Sequence, residues 1–560
     1  MICLHKNKFG ELKRLDMTYS EITNPILTGF NPDPSIVRQG EDFYIATSTF
    51  EWYPGVQIHH SKDLKHWRLL TRPLNRKSLL DMRGEPDSCG VWAPCLTHHD
   101  GLFYLIYTDV KRFVGDYKDS HNYLTSCASI DGQWSDPIYL NSSGFDPSLF
   151  HDDDGKKWLV NMIWDHRYNQ HRFAGIALQE YCPTQKKLLG QRKNIFQGTA
   201  LGVTEAPHLY KRNGYYYLVT AQGGTGYDHA MTIARSKQLD GPYEVDPQGY
   251  LLTAKDNQHL PLQRSGHGDL VETSTGEHYL VHLCSRPLTA QRRCPMGRET
   301  GLQNTIWTDD GWLRLKGATG DGLPALHVPA PDLPEHPWPK VETRHEFDSE
   351  ELPIVFQWLR TPFPEKFMSL SERPGYLRLT GKESIGSLYD HALIARRQQA
   401  FVFNATTKVD FLPTNFQQTA GLVCYYNSHK FHYLYISIDD DGQRFIDVMS
   451  CAGHPQQHLS FELREGHSGD LFTDPRFILP TQGEIFLRAK VDHHVLQFEW
   501  SLEGDVWQSI PKRFDYSVIS DEAGKGEGES FTGAFIGMAC HDTSGQNCIA
   551  DFDFFEYIQK

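Results

Sequence analysis

Three acids, a tryptophan and a histidine hold nearly one position in a repeating pattern, and their types suit chemistry on a sugar. Trp92, Asp146, Glu205 and His267 each stand nine residues before a glycine: Gly101, Gly155, Gly214 and Gly276. Asp33 stands seven residues before Gly40. Residues that keep one phase of a repeat meet in space when the repeats close on themselves. Carboxylates brought together cannot all ionise comfortably, so at least one pKa is expected to rise. Two carboxyls flanking a glycosidic bond are the acid and base of its hydrolysis, and aromatic faces stack on the C–H surfaces of pyranose rings. A protein needing only a closed fold would fill these positions with apolar or small polar residues.

The elements that must position these residues follow from the same repeat. Each of the five glycines is followed by an aromatic-rich apolar run, at 43–46, 102–105, 158–160, 215–219 and 279–281. The glycines lie 61, 54, 59 and 62 residues apart. Glycine and Asx residues make hairpin turns, and aromatic and β-branched residues suit strands. About four strands in each of five repeats predict a five-bladed β-propeller. Its innermost strands line a central channel, so the five matched positions converge at one mouth.

The repeat ends after Leu313, which bounds a propeller over 24–322 behind an N-terminal extension, 1–23. Six prolines in 323–340 predict an extended linker. Over 341–560 the runs at 431–438, 485–491 and 495–500 read as antiparallel strands of a jelly-roll, lectin-like β-sandwich. The fold class is therefore all-β.

The chain has 560 residues, which calls for more than one core. A net charge of −15 argues against nucleic acid or an anionic membrane as partner. No run reaches the roughly 20 apolar residues of a membrane span. The eleven cysteines form no C-x-x-C pair, and the first residues lack the apolar core of a secretory signal, so a reduced, cytoplasmic setting is expected. Met17 is a candidate natural start.

In order along the chain stand NPDPSI, STFEWYPGVQIHHSKDL, GVWAP, FDPSLF, NMIWDHR, TEAPHLY, GHGDLVET and GRETGLQ. Together they resemble glycoside hydrolase family 43, and within it the two-domain β-xylosidases, from about residue 24 to the C-terminus. The resemblance implies an inverting, exo-acting enzyme that releases xylose from xylobiose and short 1,4-β-xylooligosaccharides, with side activity on α-L-arabinofuranosides. By motif, Asp33 is the general base, Glu205 the general acid, and Asp146 tunes and orients Glu205. The two working carboxyls of an inverting enzyme sit about 6.5–9.5 Å apart.

The same resemblance assigns Arg298 to the hydroxyls of the terminal sugar, and Phe50, Trp92 and Trp164 to the walls of the subsite. Phe531, from the second domain, closes the pocket. His267 lies beneath the site near the propeller axis. In some relatives that histidine helps hold a divalent cation, often calcium, and in others no metal is needed; both readings stand here, with no cofactor required by the chemistry. Two-domain relatives are commonly dimers or tetramers, so a homo-oligomer is implied.

Other features carry less. Asp152-Asp153-Asp154 lacks the ligand spacing of a calcium loop and reads as a polar turn. His59-His60 and His98-His99 are neighbours whose side chains point to opposite faces of a strand. The segment 222–226 lacks the Lys and helix of a phosphate loop and reads as a channel-side turn. An α-L-arabinofuranosidase or arabinan-cleaving enzyme of the same family is the nearest rival. A fructan-cleaving enzyme is disfavoured because NPDPS, FDPS and TEAP replace its N-D-P-N-G, R-D-P and E-C motifs. A non-catalytic sugar-binding propeller would not need three acids at the channel mouth.

Overall fold

A computed structural model describes residues 20–316, 322–453, 477–524 and 530–560, with the short strands His5–Lys6 and Leu12–Lys13 ahead of them. Most of the expected extension 1–23, including Met17, lies outside the described residues. Five four-stranded antiparallel sheets follow one another along the chain. Their innermost strands are Ser35–Gln39, Gly90–His99, Ser148–His151, Glu205–Arg212 and Gln263–Glu272. The sheets are the five blades of a propeller. Gly40, Gly101, Gly155, Gly214 and Gly276 all sit in the inner hairpin turns at positive φ, from 64° to 84°. A side chain there would be strained, which is why this one residue type marks all five turns. Among the described residues the only helices are two three-residue 3₁₀ turns.

The ring is closed by the segment that leads to Asp33. The Ile26 and Leu27 amides donate to the Thr300 carbonyl at 2.9 and 3.2 Å, and the Asn31 amide to the Arg298 carbonyl at 3.0 Å. The Asn24 side chain continues this pairing at Leu302. Closure thus fixes the chain that leads into Asp33 and the strand that runs on from Arg298.

The linker is tied into the propeller. Its strand His327–Pro329 pairs with Glu21–Thr23, so the end of the expected extension is part of the fold. Beyond it two large antiparallel sheets face each other as a sandwich. The predicted strands are present as Lys430–Ile438, Ile485–Asp492 and Val495–Ser501. One sandwich sheet ends on a strand borrowed from the propeller: Trp52–Tyr53 of blade 1 pairs with Phe356–Leu359. The largest apolar cluster runs through both domains, from Tyr44, Val91 and Phe103 to Ile394, Leu434 and Phe552. A shared sheet and a shared core hold the sandwich on the propeller.

Candidate active site

A cavity of about 570 Å³ opens at the channel mouth, and all nine residues singled out from the sequence line it: Asp33, Phe50, Trp92, Asp146, Trp164, Glu205, His267, Arg298 and Phe531. The loop 223–228 also lines it, as do Phe113, Phe145 and Lys118. No repeat position flags Phe113 or Lys118, because they come from the long connection after the second strand of blade 2.

The backbone refines the repeat phase. In every blade one residue near the start of the inner strand takes positive φ: Asp33 (55°), Ala93 (33°), Asp146 (52°), Ala206 (48°) and His267 (37°). Each precedes a proline or a glycine. These five are the equivalent positions, so Trp92 and Glu205 stand one residue upstream of the place the count from the glycines gave them. The count slips because blades 3 and 5 have longer inner turns, pairing His151 with Lys157 and Glu272 with His278, whereas blades 2 and 4 close between His99 and Leu102 and between Arg212 and Tyr215. Register shifts fall at 92–95, 205–208 and 266–268. A bulge re-aims a side chain, and here it turns Trp92 and Glu205 into the cavity.

Asp33 is buried and held from two sides. The Ser48 hydroxyl donates to its Oδ2 at 2.7 Å, and Arg298 Nη1 donates to its Oδ1 at 2.9 Å. Ser48 in turn accepts from the Ala93 amide at 2.7 Å, which couples the first two inner strands. Asp146 accepts from the Ala206 amide, the residue after Glu205, at 3.2 Å. Asp146 therefore orients the segment that carries Glu205 by holding its backbone.

Burial is the first cause that pushes the Glu205 carboxyl up to about 7; the Asp33 charge adds to it, while Lys118 and Arg298 oppose it. Burial also pushes Asp146 well above the usual carboxylate range, followed by the charges of Glu205 and Asp33. The family resemblance implies that Asp146 tunes Glu205. In the structure desolvation leads for both groups.

The aromatic wall is continuous. Ring centroids run from Phe50 to Trp92 at 5.7 Å, Trp92 to Phe145 at 5.5 Å and Phe145 to Trp164 at 6.1 Å. The indole N–H groups of Trp92 and Trp164 donate to the Ser88 and Asp116 carbonyls at 2.9 and 2.8 Å. Their polar edges are thus satisfied while apolar surface remains for a ligand. Phe531 reaches this wall from the sandwich, 5.8 Å from Trp92 and 5.3 Å from Phe113. Its amide donates to Ser88 Oγ at 3.0 Å, and its carbonyl accepts from Arg298 Nη2 at 2.9 Å. A Cβ on Gly297 would come within 2.3 Å of the Thr532 carbonyl oxygen, so only glycine lets the Arg298 loop approach the Phe531 loop.

His267 lies against Asp33, Nδ1 to Oδ1 at 3.6 Å, and burial lowers its pKa to about 4. A neutral imidazole is a supporting group beneath the acids. Calcium takes six to eight oxygen ligands. Near His267, Asp33 is engaged by Ser48 and Arg298, and Asp269 by Ser35, the Ile36 amide and Tyr210. Among the described residues no three His, Cys, Asp or Glu side chains are grouped to hold a metal ion. These donors do not fit a directly coordinated cation. The aspartate run at 152–154 is a hairpin turn, with Asp152 taken up by Lys211 and Tyr216 at 2.7 and 2.9 Å.

Three carboxyls and an arginine against an aromatic wall, at the mouth of a five-bladed propeller carrying a β-sandwich, define a glycoside hydrolase. Residues 22–313 match glycosyl hydrolases family 43, residues 344–558 match the beta xylosidase C-terminal concanavalin A-like domain, and the chain belongs to that family. It is 52% identical over 539 residues to xylosidase/arabinosidase 43B of Humicola insolens, covering 96% of this chain and 97% of that one. It is 47% identical over 553 residues to a beta-xylosidase of Bacillus subtilis (strain 168), covering 96% and 100%. The crystal structure of xylan beta-1,4-xylosidase from Bacillus halodurans C-125 superposes with a TM-score of 0.91 at 49% identity, over 96% of this chain and all of that one.

Proposed function

We propose that this glycoside hydrolase is an exo-acting, inverting β-xylosidase. It releases xylose from the non-reducing ends of xylobiose and short 1,4-β-xylooligosaccharides, with side activity on α-L-arabinofuranosides. The observation that carries this reading is Phe531 capping the aromatic wall while its carbonyl holds Arg298 on Asp33. A pocket capped in this way receives a chain end. The names of the relatives support both xylose as the released sugar and arabinofuranosides as second substrates.

In this mechanism Asp33 takes a proton from water as the water attacks the anomeric carbon. Glu205, protonated because it is desolvated, gives its proton to the leaving oxygen. Asp146 orients Glu205 through the Ala206 amide. Phe50, Trp92 and Trp164 stack on the sugar, and Arg298 binds its hydroxyls. His267 supports Asp33 from below, and no step passes through a metal.

A cytoplasmic setting belongs to the same proposal; all ten cysteines among the described residues are free, which suits a reducing compartment. So does assembly as a dimer or tetramer, which light scattering reads directly. Time-resolved proton NMR on xylobiose tests the reaction. α-Xylose is expected first. β-Xylose first would overturn inversion, and no cleavage would overturn the xylosidase reading. Turnover of aryl β-xyloside against aryl α-arabinofuranoside ranks the two activities.

A further inference from the structure

A second cavity, of about 270 Å³, lies where the propeller meets the sandwich. Four arginines line it, Arg68 and Arg72 from blade 1 and Arg396 and Arg397 from the sandwich strand Leu393–Arg397, and among the described residues no aspartate or glutamate does. Acids outnumber bases in this chain, 70 to 55, so a cluster of this kind is not a sample of a basic surface. Arg72, Arg396 and Arg397 are all at least nine-tenths buried.

Their hydrogen bonds go to neutral acceptors. Arg72 donates to Gln57 Oε1 at 2.6 and 3.0 Å and to the carbonyls of Ile354 and Phe356. Arg397 donates to the Phe30 carbonyl at 2.6 Å, to Gln57 Oε1 at 2.8 Å and to Gln357. Arg396 donates to Gln399 at 2.9 Å. Three buried nitrogens on this wall, Arg397 Nη2, Arg396 Nε and His59 Nδ1, have no partner among the described residues. Buried cations without counter-charge, with donors left unmade, are strongly unfavourable. In agreement, burial pushes Arg72 down to about 9, and burial followed by the Arg72 charge pushes Arg397 well below the ordinary range.

We infer that this cavity binds a small tetrahedral oxyanion, of phosphate or sulfate type, between the two domains. Guanidinium groups arriving from both domains match the several acceptor directions of such an ion, and the unmet N–H groups supply its hydrogen bonds. Arg68, exposed at the mouth, rests on the Trp338 ring at 4.0 Å with Nη2 3.3 Å from His60 Nδ1, and would turn from there onto the ion. The ion would clamp the sandwich to the propeller. It would also stiffen the approach to the active site, because Arg397 holds the Phe30 carbonyl and Gln57 holds the Asn31 side chain at 2.9 Å, two residues ahead of Asp33.

The test is calorimetry and thermal unfolding of the full chain with inorganic phosphate, sulfate and acetate against chloride at constant ionic strength. One saturable phosphate or sulfate site per chain is expected, with a rise in Tm that follows occupancy. Arg68→Gln, at an exposed position, and Arg396→Gln should each weaken the affinity about tenfold or more, with circular dichroism of each variant confirming its fold. The proposal is overturned by the absence of saturable binding, or by unchanged binding in Arg68→Gln. Equal stabilisation by chloride or acetate would overturn it too, since neither is a tetrahedral oxyanion.

Discussion

Arg298 and Asp33 form a buried ion pair, Nη1 to Oδ1 at 2.9 Å, within a loop held against the second domain. The same guanidinium reaches the Phe531 carbonyl at 2.9 Å and lies 5.2 Å from the Phe50 ring centroid. One side chain thus orients the carboxylate proposed as general base, lies against the pocket wall and fixes the loop that caps it.

Arg298→Lys keeps the charge but not the fork, so it cannot serve Asp33 and Phe531 together. We expect kcat/KM on xylobiose to fall on the order of 10²-fold, the scale of losing one preorganised charged donor. Steady-state kinetics beside a circular dichroism spectrum checks this; a loss of fold would show in the spectrum.

In the proposed acid role Glu205 must be protonated, and its folded pKa is raised to about 7. Activity should therefore fall as pH rises through about 7. The stability linkage has the same sign: the protonated carboxyl favours the fold at low pH, and that contribution is lost as pH rises through about 7. Glu205→Gln should lower kcat on xylobiose on the order of 10³-fold, with a smaller loss on aryl xylosides bearing good leaving groups. Equal losses on both substrates would remove Glu205 from the acid role. The variant should also lose less Tm than the parent between about pH 5 and about pH 8.

Lys118 stands over the Trp164 ring at 4.3 Å, donates to the Phe113 carbonyl at 2.8 Å, and its charge lowers the Glu205 pKa. Lys118→Met should let the Glu205 pKa rise further, moving the basic limb of the kcat/KM profile to higher pH. A limb that stays or moves down would show that Lys118 does not act on Glu205.

Phe531→Ala removes the ring packed on Trp92 and Phe113 but leaves the backbone contacts to Ser88 and Arg298 available. KM for xylobiose should rise about tenfold with a smaller change in kcat, the size of one lost aromatic contact of ~1.4 kcal/mol. Unchanged kinetics would place Phe531 outside the substrate's reach.

The sequence by itself determined the five blades, the two domains and the identity of the acids. Those are local matters: a glycine at positive φ marks a hairpin turn wherever it falls, and Asp33 and Asp146 lie just ahead of inner strands that any propeller directs to its axis. Arg298, Phe50, Trp164 and Phe531 carry no repeat phase, and only their resemblance to family motifs marked them. Only the tertiary structure decided the rest. Turn length and bulges, not the count from the glycines, set how Trp92 and Glu205 enter the cavity. Desolvation rather than a neighbouring charge leads the rise of the Glu205 pKa, and Lys118 tempers it, because burial and through-space charge depend on chain segments far apart in sequence. The same reason hides the strand Trp52–Tyr53 that joins the sandwich and the four arginines at the domain boundary. Each exists only once the two domains have packed together.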